Sequence, residues 1–168
     1  MREHLREIPN FPTEGINFID ITPILQNPEL FKQAVDELIT LASKYDFDVI
    51  AATESRGFLF GSAMAYVMGK GLVPVRKKGK LPYDTVECEY ALEYGTATIE
   101  IHTDAVKQGQ KVLLVDDLLA TGGTTKATAE LVEKIGGEVA AIIYLVELEF
   151  LNGRDKLSKY NISALIGI

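Results

Sequence analysis

Apolar positions along the chain follow two periods, one helical and one continuous. From Asn27 onward, Leu30, Ala34, Leu38 and Leu41, with Phe31, Val35 and Ala42 beside them, form one stripe at helical spacing. Asn27 fits an N-cap and Pro28 the first helical position. Residues 49 to 52 then read as a short strand, 58 to 68 as a helix opened by Gly57, and 72 to 75 as a second strand. The pattern resumes with a strand at 111 to 115, a helix at 123 to 135 stopped by Gly136-Gly137, a strand at 138 to 146 and a last strand near 162 to 166. Strand, helix and strand at these lengths imply right-handed crossovers and a parallel sheet, so the predicted class is α/β with helices flanking a twisted, mostly parallel sheet.

Two stretches depart from that pattern. Between residues 79 and 103, two β-prone pieces, 86 to 91 and 96 to 102, flank Glu93-Tyr94-Gly95, which reads as a protruding antiparallel excursion and a candidate lid. Near the N-terminus, residues 11 to 23 carry two prolines, a glycine and apolar positions at irregular spacing, a poor component of a crossover sheet. They read as an arm packed on the core, a small hood at about residues 8 to 26. No repeat, linker or low-complexity tract divides the chain, and the expectation is a single domain over residues 1 to 168.

Composition narrows the function classes. A chain of 168 residues supports one sizeable core, and 47% hydrophobic with 24% charged residues is ordinary for a soluble globular protein. The formal net charge of −7 argues against a nucleic-acid partner, which would need a basic surface, yet leaves room for a small anionic ligand at a local basic cluster. The start MREHLREIPNF has no apolar signal-peptide core, and no apolar run approaches the ~18 residues of a membrane span, so a cytoplasmic location is expected. Cys88 is the only cysteine and the histidines are His4 and His102, so a cysteine-rich or histidine-rich metal site is excluded and any metal is expected to arrive with a substrate.

The chemistry concentrates in residues 112 to 125, VLLVDDLLATGGTT. Val112 to Val115 carry no polar alternation, as expected of a strand covered on both faces. Asp116 and Asp117 therefore fall at its carboxyl end, where open α/β sheets bind ligands, and two carboxylates there can accept hydrogen bonds from a vicinal diol. Ala120, Thr121, Gly122, Gly123 and Thr124 have small side chains that let backbone N–H groups approach a ligand closely. A helix starting near Gly123 would aim its free N–H groups and positive dipole end at the same spot, which suits a phosphate. The separate parts could be only a helix cap and a turn, but they follow one strand without interruption. Neither GxxxxGK[ST] nor GxGxxG after a strand is present, which argues against an NTPase or a dinucleotide enzyme. The residues alone thus specify a ribose-phosphate site.

This stretch resembles the phosphoribosyl-pyrophosphate signature of the type I phosphoribosyltransferases, and DDLLATGGT in particular the adenine phosphoribosyltransferase version. The resemblance implies that Asp116 and Asp117 hold the ribose hydroxyls and that Ala120 to Thr124 form the 5-phosphate loop. Three further segments are similar to family motifs. Thr53-Glu54-Ser55-Arg56-Gly57-Phe58 follows a strand and opens a helix; an arginine at a helix N-terminus is at the wrong end for the dipole and is better explained by an anion, although pairing of Arg56 with Glu54 is the plain alternative. The resemblance makes this segment the pyrophosphate loop, with Arg56 serving the leaving group. Arg76, Lys77, Lys78 and Lys80 place four cations in five residues, which alone could be a solvated face. In the family this segment lies beside the pyrophosphate, and its leading arginine can reach the neighbouring subunit's site, which implies a homodimer.

Leu92-Glu93-Tyr94-Gly95 taken alone is a turn, and in the family it is the mobile loop whose glutamate, here Glu93, is the acid/base and whose tyrosine, here Tyr94, closes over the site. The hood motif implies that Phe18 stacks on adenine, that the backbones of Asn17 and Ile19 read the edge of the base, and that Leu118 covers its other face. Many relatives have proline at position 14 and arginine at position 19, where this chain has Glu14 and Ile19, so only backbone contacts carry over at 19. The implied reaction transfers the 5-phosphoribosyl group from phosphoribosyl pyrophosphate to adenine, giving AMP and pyrophosphate, with magnesium carried by the pyrophosphate and reaching Asp116 through water. The alternatives are transfer to another base, such as hypoxanthine, xanthine or orotate, and a non-catalytic regulator of the same fold that senses phosphoribosyl pyrophosphate.

Overall fold

The computed structural model describes residues 1–91 and 95–168, and the chain divides into two compact units, Met1–Glu37 and Leu38–Ile168. In the first, strands β1 (Arg6–Pro9) and β2 (Asn17–Asp20) pair antiparallel as a separate two-stranded sheet, followed by a short helix α1 (Thr22–Gln26). The irregular apolar spacing of this region is thus that of a hairpin outside the main sheet. Helix α2 (Pro28–Ala42) starts as its sequence requires: Asn27 Oδ1 accepts the N–H groups of Glu29 and Leu30 at 3.0 and 3.1 Å, and Ala34, Val35, Leu38 and Ala42 of the apolar stripe are buried.

The second unit is built on β3 (Val49–Thr53), α3 (Gly57–Met68), β4 (Gly71–Lys77), β5 (Thr85–Ala91), β6 (Thr96–His102), β7 (Lys111–Leu119), α4 (Gly123–Lys134), β8 (Glu138–Glu147) and β9 (Ile162–Gly167). Their order across one seven-stranded sheet is β5-β6-β4-β3-β7-β8-β9. The five strands β4, β3, β7, β8 and β9 run parallel, and β6 joins the β4 edge antiparallel through Arg76↔Glu100 and Lys77↔Ile99. The excursion is therefore part of the sheet. On the α4 face, Val86, Cys88 and Tyr90 of β5 pack against a core that includes Val73, Val75, Leu114, Ile142 and Leu131.

The parallel strands fix where a ligand can bind. From β3 the chain crosses by α3 to β4 on one side, then returns to β7 on the other side and continues outward by α4 to β8. Right-handed crossovers in opposite directions put α3 and α4 on opposite faces and leave a crevice where the direction reverses, between the carboxyl ends of β3 and β7. Small residues bring α3 close to the sheet. A methyl group on Gly61 would lie 2.6 Å from the Ala52 Cβ, and one on Gly57 2.8 Å from Asp116 Oδ1 and 3.1 Å from the Val115 carbonyl oxygen.

Candidate active site

Strand β7 runs four residues beyond the apolar run that predicted it, because β8 is long enough to pair with its extension at Asp116↔Tyr144, Leu118↔Val146 and Leu119↔Glu147. On the other side its pairing with β3 stops at Ala52↔Val115. Asp116 and Asp117 thus lie on a strand held from one side only, at the edge of the crevice. Asp117 is buried; Asp116 is half-buried as a residue, with Oδ1 turned toward Gly57 and accepting the Asp117 N–H at 2.9 Å.

Arg56, the residue before α3, reaches across the crevice and places Nε 2.8 Å from Asp117 Oδ2. Beyond that ion pair, Oδ2 is a buried carboxylate atom that accepts no hydrogen bond among the described residues. The alternative pairing of Arg56 with Glu54 is not the one formed: Glu54 Oε2 takes Arg76 Nε and the Lys77 N–H, each at 3.1 Å. Burial, and then the neighbouring Asp117 charge, push the Asp116 carboxyl well above the usual carboxylate range. Burial also raises Asp117, with the Arg56 guanidinium opposing it.

Past β7 the chain turns through Ala120, Thr121 and Gly122 into α4. Gly122 has φ +77°, and a Cβ there would meet the Gly153 carbonyl oxygen at 2.4 Å; a Cβ on Gly153 would meet the Ala120 carbonyl oxygen at 2.2 Å. Only glycine at both positions allows this close approach in the left-handed conformation Gly122 adopts. The start of α4 has no side-chain cap, and its first intrahelical bond is Lys126 N–H to the Gly122 carbonyl, so the N–H groups of Gly123, Thr124 and Thr125 have no helical acceptor. A concavity lies over them, lined by Asp116, Leu118 to Thr124 and Thr125.

Side chains hold the rim of this loop. Tyr144, fully buried on β8, donates its hydroxyl to Thr125 Oγ1 at 2.6 Å, and Thr124 Oγ1 donates to the Tyr90 hydroxyl at 3.1 Å. An uncapped helix start, several N–H groups without a helical acceptor and a dipole end can hold an anion, and the acid pair alongside can accept hydrogen bonds from hydroxyls.

Asp116, Leu118, Ala120, Thr121, Gly122, Gly123 and Thr124 share this concavity, with Asp117 and Arg56 at its edge. Arg76, Lys77 and Lys80 lie at the end of β4; Arg76 is engaged by Glu54 and donates from Nη1 to the Lys80 carbonyl at 3.1 Å. Asn17, Phe18 and Ile19 lie on β2, where the Phe18 ring meets Phe11 edge-on at 5.2 Å, and the Ile19 side chain, buried, points to the opposite face of the strand. Glu93 and Tyr94 lie outside the described residues. Sequence reasoning missed Gly153; the Asn152-Gly153 pair was a readable turn signal, but its partner in the loop is more than 30 positions away.

A family model described as "Phosphoribosyl transferase domain" matches residues 21–163. The adenine phosphoribosyltransferase of Acetivibrio thermocellus is 56% identical over 167 residues, which is 99% of this chain and 98% of that protein. The chain belongs to the adenine phosphoribosyltransferase family. The crystal structure of the family member from Thermoanaerobacter pseudethanolicus has a TM-score of 0.97 at 54% identity, covering 99% of this chain and 97% of that one. The Saccharomyces cerevisiae member, solved with an imino-altritol bisphosphate and adenine, has a TM-score of 0.91 at 42% identity, covering 98% and 95%. The fold of this phosphoribosyltransferase is therefore the type I fold that the motif resemblance implied.

Proposed function

We propose that the protein transfers the 5-phosphoribosyl group of phosphoribosyl pyrophosphate to adenine, giving AMP and pyrophosphate. The observation that carries this reading is the uncapped start of α4 beside an acid pair at the reversal point of the sheet, in a chain that matches adenine phosphoribosyltransferases over 99% of its length. The 5-phosphate would sit on the N–H groups of the α4 start, and the ribose diol would donate to Asp116 and to the unbonded Asp117 Oδ2. An imidazole-ring nitrogen of adenine then attacks the anomeric carbon as pyrophosphate departs through an oxocarbenium-like transition state. Catalysis of such a step comes from holding base and sugar in line and from stabilising the charge that builds on the leaving group.

In this reading Arg56, Arg76, Lys77 and Lys80 serve the pyrophosphate, Phe18, the Asn17 and Ile19 backbones and Leu118 hold the base, and Glu93 manages the base proton while Tyr94 closes the site. The base is adenine because the relatives carry that name and the yeast member was crystallised with adenine. The acid pair also supplies hard oxygen donors of the kind a divalent cation takes. Magnesium, entering with the pyrophosphate and met by Asp116 directly or through water, would neutralise leaving-group charge.

A homodimer belongs to the same proposal. Helix α3 is apolar on its outer side as well as its inner one, with Tyr66 89% and Val67 60% exposed and Leu59 exposed on the same helix, a surface suited to a second copy. No helix among the described residues is long and apolar enough to cross a membrane, and we place the enzyme in the cytoplasm. Incubation of adenine, hypoxanthine, xanthine and orotate in turn with phosphoribosyl pyrophosphate and magnesium, following pyrophosphate release, tests the reading. Adenine alone should give rapid release; faster turnover of another base would replace it.

A further inference from the structure

The basic segment after β4 sits among carboxylates that could neutralise it. Glu54 Oε2 accepts the Lys77 N–H and Arg76 Nε. Glu100, 3% exposed on β6 opposite Arg76, accepts the Lys80 and Leu81 N–H groups at Oε1, both at 2.8 Å. Burial alone would raise the Glu100 carboxyl, yet these N–H groups hold it below the usual carboxylate range, so it is ionised at neutral pH. Its charge is thus answered by backbone, not by a lysine. Lys78 takes the Glu87 carboxylate at 2.7 Å, while no described carboxylate comes within 4.0 Å of the Lys77 or Lys80 ammonium. Arg76, bridging Glu54 and the Lys80 carbonyl, closes the turn.

We propose that Glu100 is a positioning residue for pyrophosphate: by gathering the backbone N–H groups of Lys80 and Leu81 on a buried carboxylate, it fixes the turn that presents Lys77 and Lys80, neither held in an ion pair by a described carboxylate, to the leaving group. A buried carboxylate inside a basic loop would otherwise be a poor choice, since it subtracts charge from an anion site. Here the geometry lets it supply rigidity while its own charge is taken up by backbone N–H groups and not by either ammonium. The inference rests on the reading of the segment as the pyrophosphate side of the site.

Glu100→Gln keeps the shape and one carbonyl acceptor and removes the charge. The expected result is a KM for phosphoribosyl pyrophosphate raised roughly tenfold, the worth of one charge-assisted hydrogen bond, with kcat within about twofold and the KM for adenine unchanged. In a Lys77→Ala/Lys80→Ala background the same substitution should add less than about twofold, because the groups it positions are gone. An unchanged KM overturns the proposal, as does a fall in kcat that is equal in both backgrounds, which marks a general structural role. If Glu100→Gln folds poorly, Glu100→Asp keeps the charge but shortens the reach by one methylene, and should raise the same KM several-fold. A Lys77→Ala/Lys80→Ala enzyme with unchanged KM for phosphoribosyl pyrophosphate would instead reject the pyrophosphate reading of the segment, and the role of Glu100 with it.

Discussion

Replacing Asp116 by Asn should stabilise the ligand-free protein while disabling it. Asn keeps the volume and the Oδ1 that accepts the Asp117 N–H at 2.9 Å, so the local backbone has no reason to move. What it removes is the less compensated of the pair's two charges: Asp117 has the Arg56 guanidinium at 2.8 Å, whereas Asp116 faces Gly57 and its own neighbour's charge. The sign follows from linkage. With a folded pKa raised above the unfolded value of about 3.9, the native state binds more protons, so the contribution of Asp116 to stability is present at low pH and is lost as pH rises through the folded pKa. Asn carries no such loss. Relief of a strained functional group commonly yields about 0.5–2 kcal/mol, and for a domain of this size each kcal/mol moves Tm by roughly 2–4 °C. Thermal unfolding by circular dichroism should show a Tm gain of roughly 1–8 °C at pH 7.5, shrinking as the buffer approaches pH 4. Affinity for phosphoribosyl pyrophosphate should fall at least about tenfold in the same preparation. An equal or lower Tm at pH 7.5, or a gap that does not close on acidification, would refute the argument that this carboxylate is held against its own hydration.

Two further substitutions separate positioning from chemistry. Gly122→Ala puts a methyl group 2.4 Å from the Gly153 carbonyl oxygen at φ +77°, so kcat/KM for phosphoribosyl pyrophosphate should drop on the order of 10²-fold with a lowered Tm; steady-state kinetics with either value unchanged would show that the loop tolerates another path. Glu93→Gln should lower kcat by roughly 10²- to 10⁴-fold in single-turnover experiments, and nearly full turnover would remove the acid/base assignment.

The sequence made the parallel core readable because its strands are continuous apolar runs and its helices carry a stripe, a cap or a glycine stop, all of which are local signals. Asn27, Pro28 and the small-residue loop after β7 were legible for the same reason. Pairings between distant segments were not. Arg56 had Glu54 two positions away as an obvious partner, and only the sheet brings Asp117 closer in space while giving Glu54 to Arg76. Glu100 sits between Ile99 and Ile101 in a strand whose alternation suggests a solvent-facing acid; both faces are covered there, and the carboxylate is satisfied by a loop 20 positions back. The extension of β7 past Val115 was likewise hidden, since what sustains it is the length of β8.

The central claim is that the start of α4 and the end of β7 together hold a ribose 5-phosphate. A crystal structure with AMP tests it most directly. The account predicts the phosphate oxygens within hydrogen-bond distance of the backbone N–H groups between Thr121 and Thr125, and both ribose hydroxyls on Asp116 and Asp117. A phosphate bound instead at Lys77 and Lys80, with the ribose away from the acid pair, would contradict it.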